Sequence, residues 1–251
     1  MVGVSTVALL VRKTGMPTDL FRRYWRDVHG VMAARVHGFE SYTQYHVEPL
    51  TTSGPGIDGI ALVTFASEDD RNALAAGPLT PHIHADEQNL FERVFLYSLP
   101  EGPRQITGNG IASSPVSEHL FVIVQGGQDA RPVLDALAGQ ADHLAIFDLT
   151  RGDPALWNTA RFDDAGVPAG FSALIHAAWG SSATATSAAA RLAALPGGYL
   201  LCRSQGRFAM VEGGRPTAIG LRGLPAVQTI EEAGAINQLS PEIEQLLFPC
   251  P

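Results

Sequence analysis

Residues 16–38, MPTDLFRRYWRDVHGVMAARVHG, constrain the fold more tightly than any other stretch of the chain. Phe21, Trp25, Val28 and Met32 recur at intervals of four, three and four residues, which is one apolar stripe of an amphipathic helix. Thr18 suits the N-cap, and Asp19 places negative charge in the first turn, where the helix dipole favours it. Arg22, Arg23, Arg26 and Asp27 then fall on the face turned to water.

Tyr24 and His29 sit at the edges of that stripe. His29 follows Trp25 by one turn, which sets an aromatic wall beside an imidazole that titrates near neutral pH. Gly30 costs a helix interior about 1 kcal/mol relative to alanine, so it implies a bend or a close approach to another group. The plain alternative is a core histidine at a helix kink.

The elements on either side give the order β-α-β-β-α-β. Val4–Val11 is apolar on both faces, as a central strand should be. Residues 40–47 alternate, with Tyr42, Gln44 and His46 on one face and Thr43, Tyr45 and Val47 on the other. Residues 49–59 form a loop rich in Thr, Ser, Gly and Pro, and GIALVTF (59–65) is a second buried strand. Ser67 caps a helix through Ala76, Pro81–Arg93 reads as a further helical piece, and Val94–Leu99 closes the unit.

Residues 101–116, full of Gly, Pro and Ser, read as a linker. The same order then recurs: strand 120–125, helix 129–138, strands 143–149 and 171–179, helix 182–195, and a return in 199–211. This divides the chain into units 1–104 and 116–212, followed by a tail, 213–251. In the tail, helices are expected to start at Glu231 and Ser240, and Leu246, Leu247 and Phe248 to dock on the body.

The run YWRDVHGVMAARVHGF, preceded by VALLVRKTGMPTDLFRR, resembles the N-terminal half of an EthD-family domain. The pairs Arg12-Lys13, Tyr24-Trp25, His29-Gly30 and Asp86-Glu87, with Phe91 after them, carry the resemblance, and Val31 departs from it where the family commonly has proline. The likeness covers roughly the first hundred residues and stops by Pro103. It implies a ferredoxin-like unit of the dimeric α/β-barrel group, whose single-domain members pair two sheets face to face. The fold class expected here is therefore α+β: tandem ferredoxin-like βαββαβ units forming a pseudo-dimeric α/β barrel, its two sheets packed on a shared core.

Composition narrows the function classes. A formal charge of −8 with no Lys/Arg run argues against nucleic acid as a partner. Two cysteines, Cys202 and Cys250, make neither a disulfide framework nor a zinc motif. The opening MVGVSTVALLVRK is too short for a membrane span and unlike a signal peptide, so a cytoplasmic location is the default. No GxGxxG, GxxxxGK[ST] or GxSxG motif occurs, so no cofactor is expected.

Histidine is abundant, with eight residues against the single Lys13. His37 reads as a helix end near the negative pole of the dipole. His82 and His84 frame Ile83, but an i, i+2 pair meets on one metal only in an extended segment, whereas Pro81 starts a helix; no metal is expected. Asp86 and Glu87 read as capping and surface charges. The candidate catalytic residues are His29, His46 and Tyr24, and the candidate substrate-binding residues Trp25, Tyr42, Tyr45, His82 and His84. In the second unit, where His119, His143 and His176 lie on strands and Trp157 and Trp179 add bulk, only a wall residue such as His176 or Trp179 is expected to contribute.

The resemblance implies cofactor-independent chemistry on a small aromatic or polyketide-like compound. A cavity lined by histidine and tyrosine suits proton transfer, which favours a lyase or isomerase working by dehydration or retro-aldol-type elimination. One alternative is a cofactor-free monooxygenase of a phenolic substrate. Another is a non-catalytic small-molecule-binding accessory protein, since EthD itself accompanies an oxidative system. A homodimer is compatible with all three.

Overall fold

The run that reads as buried on both faces forms β1 (Val4–Arg12), which is hydrogen-bonded on one side to β3 (Gly59–Phe65) and on the other to β4 (Phe91–Leu99). The computed structural model describes residues 4–52, 54–99, 102–108, 117–151 and 170–248. Trp157, Cys250 and half of the expected linker lie outside them. With β2 (Phe39–Pro49) beside β3, the first unit has the sheet order β4-β1-β3-β2. Its helices are α1 (Thr18–Tyr24), a π-helical turn (Trp25–His29), α2 (Gly30–Ala33), α3 (Glu68–Ala73) and α4 (Thr80–Leu90).

The second unit repeats this plan. β6 (Glu118–Gln125), α5 (Arg131–Leu137), β7 (His143–Asp148), β9 (Phe171–Trp179), α6 (Ser182–Ala193) and β10 (Tyr199–Glu212) give the sheet order β7-β9-β6-β10. The expected linker also contains structure: β5 (Arg104–Thr107) pairs with the outer edge of β7.

The two sheets are not separate layers, as the sequence reading has them. β10 pairs antiparallel with β2 from Cys202↔Pro49 to Glu212↔Ser41, so hydrogen bonding runs unbroken from one unit into the other. At the far side, β8 (Thr150–Arg151) continues the line of β7 and pairs with Tyr97 and Ser98 of β4. The sheet thus curls back on itself. The tandem α/β barrel is the observed fold, and edge-to-edge pairing is what joins its halves.

Side-chain alternation then creates three cores. Val7, Leu9, Tyr45, Phe95, Phe121, Ile123, Phe147 and Leu174 point into the barrel and are shared by both units. A second core lies between the first unit's helices and its sheet, around Phe21, Trp25, Val63 and Leu90. The third lies under α5 and α6 and is filled mostly by Ala, Val and Leu.

The tail departs from expectation. It forms α7 (Ala218–Arg222), α8 (Leu224–Glu232) and α9 (Pro241–Leu247), so Glu231 and Glu232 end a helix rather than start one. Leu246 and Leu247 are exposed instead of docked. The tail is anchored by the apolar Ile219, Leu221 and Val227 and by polar contacts: Arg35 Nη2 donates to Leu221 O at 3.0 Å, and Asp27 Oδ1 accepts from Leu224 N at 3.0 Å. Arg26 pairs with Asp27 and lies 4.9 Å over the Phe208 ring. Hence Arg26 and Asp27 are half-covered, and of the four charges assigned to water only Arg23 is fully exposed.

Candidate active site

The first helix begins as its sequence implies but changes pitch. Thr18 is its first helical residue rather than its cap, the N-cap place being taken by Pro17, which makes no side-chain capping bond. At Trp25 the helix widens into the π-turn, where Gly30 N–H reaches back five residues to Trp25 O. Gln44 Nε2, from β2, donates to the same carbonyl at 3.0 Å. An extra residue in the turn rotates the buried face, so His29 takes the inward place that a regular helix would give to Val28. Val28 is consequently half exposed.

Gly30 is there for close approach. Its backbone is ordinary helix, but a Cβ would lie 2.6 Å from Gln44 Nε2 and 2.8 Å from Met210 Cε. Gly59 does the same for the indole, since a Cβ there would stand 2.5 Å from Trp25 Cζ3. Trp25 therefore lies flat on the sheet. Its ring stacks at 5.0 Å on His46 and at 5.8 Å on Phe21, and Phe91 meets it edge-on.

His29 is held by a carboxylate. Its Nδ1 lies 3.0 Å from Asp86 Oδ2, and Tyr24 OH donates to Asp86 Oδ1 at 2.5 Å. Burial pushes the Asp86 carboxyl up, but the hydrogen bonds from His29 and Tyr24 outweigh it and hold it below the usual value. Asp86 is thus ionised near neutrality and takes the Nδ1 proton as acceptor. In a neutral imidazole that geometry puts the proton on Nδ1 and the lone pair on Nε2, as in a carboxylate-oriented base. The same bond raises the Tyr24 phenol, which stays protonated.

His29, Trp25, Tyr42, His84, Phe91 and Glu87 face one cavity between the helices and the sheet. The cavity is small, with a volume of about 40 Å³. Glu87 is its most unusual wall. The side chain is fully buried and neither carboxyl oxygen has a hydrogen-bond partner. Desolvation, with the adjacent Asp86 charge adding to it, pushes its pKa up to about 8. An unpaired buried carboxyl costs a protein several kcal/mol, so it is a group for which packing gives no reason.

The candidate residues are distributed as follows. His29, Trp25, Tyr42 and His84 meet at the cavity, and Tyr24 stands behind it on Asp86. His46 lies beneath Trp25, between it and Phe208, and Nε2 is 3.4 Å from Gln44 Oε1. Burial, aided by Arg26 and Arg22, lowers it to about 3, so it is a neutral support beneath Trp25 and not a proton carrier. Tyr45 points from the opposite face of β2 into the barrel, and His82 is exposed. His176 likewise faces the barrel, whereas Trp179 lies in the core beneath the second unit's helices and donates to Gln140 O.

Asp86 and Glu87, read from the sequence as capping and surface charges, instead hold His29 and stand buried in the cavity wall, respectively. A signal for Glu87 existed. Thr80, Ile83, Glu87 and Leu90 recur at three, four and three residues, and these four form the buried face of α4. Among the described residues, no group of three or more His, Cys, Asp or Glu is arranged to hold a metal ion. No described helix is long and apolar enough to cross a membrane.

The arrangement of Tyr24-Trp25, His29-Gly30 and Asp86-Glu87 around one cavity agrees with a family match over residues 13–93. This segment is an EthD domain. No curated protein matches the chain in sequence. Among solved structures, an anthrone oxidase-like protein superposes with a TM-score of 0.50 at 13% identity, covering 83% of this chain and 94% of its own. A putative monooxygenase of Fusobacterium nucleatum subsp. nucleatum gives 0.50 at 6% identity, covering 86% and 97%. At such identities the likeness is one of fold: the EthD domain and the unit that follows it together make the barrel seen in these proteins.

Proposed function

We propose that the chain is an enzyme that removes a proton from a flat, phenolic or polyketide-like carbon acid bound between the EthD helices and the sheet. One observation carries this reading. A single apolar cavity holds an imidazole oriented by a carboxylate and, apart from it, a buried carboxyl without a partner. His29 Nε2 takes the proton, and Glu87, protonated at neutral pH, donates to the substrate oxygen on which charge develops. Trp25 and Phe91 supply the aromatic walls that a planar ring packs against.

Elimination follows directly. His29 removes the proton α to a carbonyl, the electron pair forms the new C=C bond, and the β C–O bond breaks. Glu87 protonates the departing oxygen, which leaves as water. Proton exchange from His29 to Glu87 then restores the site. Oxygenation is the second reading, in which the same enolate reacts with dioxygen; an anthrone oxidase-like protein is among the neighbours in fold.

Access requires motion, because a cavity of about 40 Å³ holds only a few waters. Val36, Leu74 and Thr80 line both this cavity and a groove on the outer surface, so the segment 74–80 separates the two. The experiment is to offer the protein a β-hydroxy-tetralone, which becomes a naphthol on losing water, and separately anthrone in air. Naphthol formation without oxygen uptake supports elimination. Anthraquinone formation with oxygen uptake supports oxygenation, and neither product above the uncatalysed rate removes the enzymatic reading for these classes.

A further inference from the structure

A second polar cluster lies on the other side of the same sheet, at one end of the barrel interior. His119 of β6, His143 of β7 and His176 of β9 stand on the barrel face of their strands, each two residues from a barrel-core residue, Phe121, Ala145 and Leu174 respectively. His119 Nδ1 and His176 Nε2 are 2.9 Å apart, and the His143 ring lies 5.0 Å from that of His176. Tyr45 packs edge-on at 5.3 Å from His119 and 5.4 Å from His176. Arg207 of β10 is directly opposite Tyr45 in the strand register and brings a guanidinium to the same end.

Packing does not account for these side chains. All three histidines are more than nine-tenths buried, yet His119 Nε2 and His143 Nδ1 have no hydrogen-bond partner, and neither has Arg207 Nε. Native proteins leave few such atoms, and a neutral imidazole must place a donor and an acceptor. The corresponding end of the first unit shows what plain structure looks like. There Ser5 and Thr64 face each other in register and are satisfied by their own 3.0 Å hydroxyl contact, and Leu62 stands where the second unit has His176.

The chemistry of the cluster is specific. Burial lowers all three imidazoles, His119 to about 4, so at neutral pH they are uncharged hydrogen-bonding groups. Arg207 supplies the positive charge, and its visible ion-pair partner is Glu212, 3.7 Å away and largely exposed. A fork-shaped cation beside unpaired ring nitrogens and a phenol suits a small planar oxyanion. The barrel below is filled with aromatic and aliphatic side chains, which leaves no depth for a large ligand.

We propose that His119, His143, His176, Tyr45 and Arg207 form a binding site for a small carboxylate or similar planar oxyanion, separate from the EthD cavity. Arg207 holds the charge, and the free imidazole N–H groups complete the anion's hydrogen bonds. The anion is either free in solution or the carboxylate end of a small organic acid.

The test is titration of the whole chain with sodium formate against sodium chloride at equal ionic strength, reading thermal stability and the imidazole ¹⁵N–¹H signals. Formate is expected to raise the Tm saturably, as a ligand of the folded state must. It should also move the His119 and His143 signals, whereas chloride does neither. Arg207→Gln should abolish both effects. Should that variant not fold, Arg207→Lys keeps the charge but loses the fork and should weaken formate about tenfold or more. Benzoate competing with formate would identify the end of an organic acid as the ligand, and failure to compete would identify a free small anion. Equal effects of formate and chloride, or an unchanged response in Arg207→Gln, would overturn the site. So would a formate-grown crystal showing only water on the three histidines.

Discussion

The carboxylate of Asp86 lies 3.0 Å from Nδ1 of His29, although 57 residues separate the two in sequence. The contact ties α4 to the π-turn of the first helix and decides which imidazole nitrogen faces the cavity. Three features of the chain make it possible. The π-turn brings His29 inward, the missing Cβ of Gly30 lets the helix settle on Gln44, and Tyr24 takes the second oxygen of Asp86. Each can be removed singly.

Asp86→Asn is expected to preserve the fold and lower turnover by about 10²–10⁴-fold, because a neutral amide no longer favours the reactive tautomer or the imidazolium that forms. Tyr24→Phe leaves the carboxylate charged and removes one of its hydrogen bonds. It should cost less than the Asp86 change, about ten- to a hundredfold, in line with the loss of a single bond to a charged group. Turnover of both variants on the β-hydroxy-tetralone or on anthrone gives the ratio. An Asp86→Asn enzyme as active as the parent would separate Asp86 from the chemistry.

Glu87 makes stability depend on pH in a direction opposite to the usual carboxylate. Its folded pKa, about 8, lies above the ordinary glutamate value of 4.5, so between these values the folded state holds a proton that the unfolded chain releases. Its contribution is present in full below about pH 4.5 and is lost as pH rises through 8. Glu87→Gln should therefore be relatively more stable than the parent at pH 9 and should flatten this part of the profile. Chemical denaturation at pH 6 and pH 9 checks it. If the parent and Glu87→Gln lose the same stability between those two values, the carboxyl is not protonated as proposed.

Gly30→Ala tests close approach rather than backbone freedom. The helix geometry at position 30 accepts alanine, and propensity alone would gain about 1 kcal/mol. The added methyl would nonetheless fall 2.6 Å from Gln44 Nε2 and 2.8 Å from Met210 Cε. A net loss of about 1–3 kcal/mol is expected, the usual cost of overpacking. Trp25→Ala, which empties the floor of the site, should lose about 3–5 kcal/mol. A stabilised Gly30→Ala, measured by urea denaturation, would mean that the helix stands farther from β2.

The sequence was readable wherever burial imposes a period. The strand faces of β2 follow from alternation, so Gln44 and His46 stand toward the helix and Tyr45 toward the barrel, as the pattern requires. The helical stripe held at Phe21 and Trp25 and failed at Val28, because a π-turn adds a residue that no propensity announces. The joining of β10 to β2 was not legible, since edge pairing is made by backbone groups common to every residue. Glu87 was passed over because carboxylates are rarely buried. Its spacing from Ile83 and Leu90 nevertheless places it on the inner face of α4.

His29 allows the most direct test of the site. If it is the base, His29→Ala should lower turnover by about 10²–10⁴-fold while the protein remains folded. His29→Gln should fail as well, because an amide can hold Asp86 by a hydrogen bond but cannot carry the proton. A merely structural histidine predicts the reverse. Its ring is buried, packs edge-on at 5.6 Å against Phe91 and is bonded to Asp86, so truncation would then lower the melting temperature and leave turnover near normal in the folded fraction. Glutamine separates the cases better than alanine, since it restores a partner for Asp86 and fills part of the space. Melting temperature and turnover measured on both variants decide the matter, and a folded His29→Gln with normal activity would end the role of His29 as base.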